Sequence, residues 1–214
     1  MPLPALLQAS QLHPFNRMDV PTLLAQRAQR RRDHPFIVWE PFEGQVQTWT
    51  YGQFHQAVGR IAGGLARRGV QAGDRVLIHL DNCPETLLAW YACGWIGAVA
   101  VTTNARAADD ELAYYAEHSG AVAAITQPKF AEAVARSCKQ LKWQVVTDTD
   151  NGAPAAPVPA DQRFATLDAE PPPRRAPDPL APCSVQYTSG TTSRQGRAVD
   201  PCQRAVGRAH QRGA

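Results

Sequence analysis

Four short apolar runs separated by helix-forming stretches constrain this chain more than any other feature. They are "GDRVLIHL" (73–80), "AVAV" (98–101), "AVAAIT" (121–126) and "WQVVT" (143–147). None alternates cleanly between polar and apolar residues. Each therefore reads as a strand covered on both faces, as the strands of parallel sheets are. Between them, Pro84 suits the first turn of a helix running to about Gly94. Asp109, Asp110 and Glu111 load the start of another, which carries Leu112 and Tyr115 and stops at "EHSG". A further helix is expected over Lys129–Lys139. Strand and helix alternating over connections this short predict an α/β fold with a doubly wound, mostly parallel sheet across residues 1–150.

Ahead of this core, residues 36–49 alternate loosely around Glu43-Gly44 and predict a hairpin. "TYGQ" (50–53) has the form of a capping box, in which the Thr50 hydroxyl accepts from the Gln53 amide and the Gln53 side chain reaches back. Phe54, Val58, Ile61 and Leu65 then share one helical face. Arg67 and Arg68 suit the helix's C-terminal end, and Gly69 suits a left-handed stop. Residues 151–182 change character, holding nine of the eighteen prolines, with "PPP" at 171–173. Proline removes donors and resists helix and sheet, so this segment is expected to be an extended connector. A proline-motif ligand for another protein is the other reading of the same composition.

Bulk chemistry narrows the function classes. The formal charge of +3 is unevenly placed: residues 194–214 carry five arginines against Asp200, leaving 17 basic and 18 acidic residues in 1–193. A near-neutral body argues against nucleic-acid binding. Five cysteines without a CxxC pair suit core thiols in a reducing compartment, hence the cytoplasm. No pair of the six histidines has metal-ligand spacing. The start "MPLPALLQAS" lacks the basic region and long apolar core of a secretory signal. The longest apolar run, Leu87–Val101, is too short to span a bilayer, so no membrane span is expected.

After a strand near Ser184–Tyr187 comes "TSGTT", four hydroxyls and a glycine in five residues (Thr188, Ser189, Gly190, Thr191, Thr192). Glycine lets the backbone approach a ligand, inward amides form an anion nest, and hydroxyls add donors. The Walker spacing is absent. As composition alone, such a loop is more often a plain turn.

The wider context is more specific. "VQYTSGTTS" resembles the phosphate-binding signature of the adenylate-forming superfamily, which holds acyl-CoA synthetases, luciferases and peptide-synthetase adenylation domains. "TYGQF", "GVQAGDRVLIHLDNCPETLLAWYACGWIGAVAV" and "NARAADDELAYYAEHSGA" resemble it too, in the family's order, over about Arg31–Ser193. The resemblance implies part of the family's N-terminal domain. The family joins a carboxylic acid to AMP from ATP with Mg²⁺, then commonly passes the acyl group to coenzyme A, with fatty-acid metabolism as the expected setting. Thr188, Ser189, Gly190, Thr191 and Thr192 would then cradle the β- and γ-phosphates of ATP. That would place preorganised donors where charge builds on the departing pyrophosphate.

Departures from the pattern follow at once. The signature continues with a proline and a lysine where this chain has Gln195 and Gly196. The family's Mg²⁺-holding glutamate, ribose-binding aspartate and C-terminal lysine have no counterpart among these residues, so no catalytic residue or metal ligand is expected within them. Synonymous codons for residues 195–214, preceded by two cytosines, also encode PKAVLWTHANALWGAHINAA, which restores the missing pair. A frameshift near Arg194 is thus expected. It divides the chain into residues 1–150, the connector 151–182, the strand and loop 183–193, and an aberrant basic tail 194–214, of which 195–214 are expected to be disordered or poorly packed. The reading is an N-terminal fragment of an ATP-dependent acyl-CoA synthetase, inactive alone. A non-catalytic nucleotide-binding module and an interaction domain with a basic tail remain the alternatives.

Overall fold

A computed structural model describes residues 18–188 and 195–199, with side chains through Tyr187. Helix α1 (Val20–Arg30) is followed by the antiparallel hairpin β1 (Pro35–Trp39) and β2 (Gln47–Thr50). Then come α2 (Tyr51–Arg67), β3 (Arg75–His79), α3 (Pro84–Ile96) and β4 (Val99–Thr102). The chain goes on through α4 (Asp109–Ser119), β5 (Ala121–Thr126), α5 (Pro128–Ser137) and β6 (Trp143–Val146). Strands β7 (Ser184–Thr188) and β8 (Gln195–Val199) close it.

The six-stranded sheet runs β6-β5-β3-β4-β7-β8. Its first five strands are parallel and β8 is antiparallel to β7. The apolar run of β3 shows why the pattern demanded this. Val76 and Ile78 face one core with α2 and α3, while Leu77 faces a second core with α4 and α5. Ile125 and Ala124 of β5 divide in the same way. A strand with helices on both sides has no polar face to keep.

Local signals are obeyed. Gln53 N donates to Thr50 Oγ1 at 3.2 Å and Thr50 N donates to Gln53 Oε1 at 2.9 Å, completing the capping box. Gly69, Gly97 and Gly120 all take positive φ where helices end. Helix α1 has a cap of its own: Asp19 Oδ1 accepts from Thr22 N at 3.0 Å.

Two expectations change. The proline-rich segment is extended, but between 160 and 178 it is a strap packed on α2 and α3 rather than a free connector. Leu167, in a short 3₁₀ turn, is fully buried in the first core. Trp95 Nε1 donates to Pro172 O at 2.9 Å, and Arg68 Nη2 to Asp161 O at 2.7 Å. Arg175 pairs with buried Asp19 at 3.1 Å, tying the strap to α1. Of the tail, expected to be disordered or poorly packed from 195, residues Gln195–Val199 form β8, because the open edge of β7 offers backbone partners whatever the side chains. Residues 200–214 lie outside the described residues.

Candidate functional site

Parallel α/β sheets present ligand sites outside the carboxyl ends of their strands. Here that edge is formed by His79, Thr102, Thr126, Val146 and Thr188. On the β3–β5–β6 side it is occupied by a network closed on itself. Thr126 Oγ1 donates to His79 O at 3.0 Å, and His79 Nδ1 lies 2.9 Å from Thr103 Oγ1. Gln127, almost wholly buried, accepts from Asp81 N at 2.7 Å and donates through Nε2 to Asp150 Oδ1 at 3.2 Å. Asp150 Oδ1 also accepts from Lys129 N at 3.0 Å, and Lys129 Nζ pairs with Asp81. Burial pushes the His79 imidazole down to about 4, so it is neutral near pH 7 and packs against Phe130 at 4.6 Å. These groups are hydrogen-bonded to one another and hold loops in place.

The other side of the edge belongs to β4 and β7. Strand β7 pairs with β4 through Ala100↔Ser184, Val101↔Val185 and Thr102↔Gln186. Its last described side chain, Tyr187, is pinned to α4. The Tyr187 hydroxyl donates to Tyr115 O at 3.3 Å and lies 3.0 Å from His118 Nδ1. The Tyr187 and Tyr115 rings lie 4.3 Å apart. Burial raises the phenol above its ordinary range, keeping it a neutral hydrogen-bonding group. The position at which β7 ends is therefore fixed from below.

Among the five sequence-derived site residues, the structure places Thr188 as the last residue of β7, its backbone paired with Gln195. Ser189, Gly190, Thr191 and Thr192 lie outside the described residues. No cluster of His, Cys, Asp or Glu fit for a metal occurs among the described residues. No described helix is long and apolar enough to cross a membrane.

Sequence reasoning missed the polar network and the Tyr187–His118 contact. Tyr187 adjoins "TSGTT" in the sequence, but its partner lies 69 positions away. The Gln127–Asp150 bond spans 23 positions, with no spacing rule to reveal it.

Comparison with known proteins is consistent over most of the chain. A family model described as AMP-binding enzyme matches residues 24–195. Crotonobetaine/carnitine–CoA ligase of Escherichia coli O139:H28 is 32% identical over 166 residues, 74% of this chain and 31% of the ligase. The chain thus spans about a third of the length of the curated relatives it matches. The structure of o-succinylbenzoate coenzyme A synthetase from Bacillus subtilis with its acyl-adenylate intermediate superposes with a TM-score of 0.66 at 26% identity. It covers 84% of this chain and 42% of that one. An anthranilate CoA ligase bound to anthranoyl-AMP reaches a TM-score of 0.75 at 19% identity, covering 90% of this chain and 36% of its own, a likeness of fold.

Proposed function

The chain belongs to the AMP-binding enzyme family, and from that premise we propose that it is the N-terminal part of an ATP-dependent acyl-CoA synthetase. One observation carries the reading. The "TSGTT" stretch leaves the carboxyl end of β7, beside β4 in a parallel sheet, where an anion nest is of most use. In this reading Thr188–Thr192 hold the β- and γ-phosphates of ATP while a carboxylic acid attacks the α-phosphate. Mg²⁺ would shield the departing pyrophosphate, and coenzyme A would take the acyl group. Buried, unpaired Cys83, Cys93 and Cys138 support a cytoplasmic setting.

The 214-residue form is proposed to be inactive. Opposing pyrophosphate charge is only part of the task, since the carboxylate must also be aligned in line with the α-phosphate. The family match ends at residue 195, where Gln195 and Gly196 replace the expected proline and lysine, and this supports a frameshift at that point.

The experiment is pyrophosphate release with ATP, Mg²⁺, coenzyme A and a panel of carboxylic acids. It is run on this chain and on the product of the restored frame, each with a Gly190→Val control. The expected result is silence from the first and Gly190-dependent turnover from the second. Turnover by the 214-residue chain that Gly190→Val abolishes would refute inactivity. A restored protein silent on every acid would refute the synthetase reading. One DNA read across the codons for residues 194 and 195 tests the frameshift.

A further inference from the structure

Between α1, α2 and the strap lies an open groove of about 730 Å³. Its described walls include Gln26, Gln29, Arg32, His55, Trp95 and Arg174, with no carboxylate and no residue of β7 among them. Neither arginine joins an ion pair among the described residues. The Arg174 guanidinium instead lies 5.8 Å from the Trp95 ring centroid. The His55 ring is 5.0 Å from Trp95, and its Nε2 atom is buried with no hydrogen-bond partner among the described residues. Burial, and secondarily Arg174, lower the His55 pKa, so the ring is neutral near pH 7.

Three features meet here. Buried polar atoms without partners are rare in native proteins. Two unpaired cations in one concavity raise local positive potential. Aromatic rings beside them favour a flat apolar body over a hydrated ion. We propose that this groove binds a planar aromatic anion, its charge met by Arg32 and Arg174, its ring against Trp95, and His55 Nε2–H donating to it. The proposal stands apart from the synthetase reading, because the groove's described walls come from α1 and the turn after it, α2, α3 and the strap, not from the strand that leads into "TSGTT".

The probe is 1-naphthoate, titrated into the ¹⁵N-labelled 214-residue chain, with the Trp95 indole N–H as reporter because it is held on Pro172 O at 2.9 Å. The uncharged control is 1-naphthalenemethanol. Saturable shifts are expected with the anion, with the alcohol about 10-fold weaker. Arg174→Gln and Arg32→Gln should each weaken naphthoate by about 10-fold. Arg174 also donates to Pro21 O at 3.3 Å. Should its substitution disturb the strap, Arg32→Gln decides, since Arg32 has no side-chain hydrogen bond among the described residues. No saturation by about 10 mM, equal affinity for the alcohol, or wild-type affinity in Arg32→Gln would each overturn the proposal.

Discussion

Replacing Gly64 by alanine tests whether the strap is an integral part of the fold. Helix α2 meets the strap backbone through adjacent glycines. A Cβ at position 64 would lie under 3.0 Å from the carbonyl oxygen, carbon and Cα of Leu167. These are backbone atoms, so no rotamer change relieves the clash; the strap must move several tenths of an ångström or more. Leu167 is fully buried, and Arg67 Nη2 donates to Thr166 O at 2.8 Å, so movement disturbs both core and anchors. Overpacking of this kind costs about 1–3 kcal/mol, and expelling a buried leucine about 2–5 kcal/mol. Alanine returns about 1 kcal/mol through better helix propensity. The net expectation is a loss of about 2–7 kcal/mol, lowering the melting temperature by about 5–25 °C. Urea and thermal unfolding measure it, and limited proteolysis should open new cuts between residues 160 and 178. Gly69→Ala is the control: its φ is +85°, yet a Cβ there meets nothing within 4 Å. It should lose only about 1 kcal/mol, from the left-handed backbone. A Gly64→Ala chain as stable as the parent, with an unchanged digest, would refute close packing of the strap.

Acid should weaken the fold through His79. Its folded pKa is lowered to about 4 from 6.5, so stability is full above about pH 6.5 and is lost as pH falls toward 4, by up to about 3 kcal/mol. His79→Gln should flatten that limb of the stability–pH curve; an unchanged slope would show that other groups govern it. The buried thiols should be inert. Cys83 and Cys93 are pushed up to about 12 and Cys138 to about 11, so iodoacetamide at pH 8 should modify them only after unfolding, as peptide mass mapping would show. Thr50→Ala removes the acceptor for Gln53 N and should cost about 1 kcal/mol in urea unfolding, with Thr50→Ser restoring most of it.

How much of this was legible in the sequence follows from the range of each force. Capping at Thr50 and Gln53 is a contact three positions apart, and the left-handed stops at Gly69 and Gly120 need only a residue without Cβ. Apolar runs such as Arg75–His79 specify burial on both faces by themselves, so the doubly wound sheet was readable from one dimension. Strand order was not, because which strands become neighbours depends on helices packing over the sheet. The strap escaped for a related reason. Proline content reports missing donors, but not the glycine pair at 63–64 against which the backbone of Leu167 and Glu170 closes. The polar closure of Gln127 on Asp81 and Asp150, and the hold of His118 on Tyr187, join positions that only the folded sheet brings within hydrogen-bond reach. The resemblance of the sequence to its family proposed Thr188–Thr192 for phosphate; tertiary structure decided that the strand leading into that stretch ends at the sheet's carboxyl edge, because β7 pairs in parallel with β4.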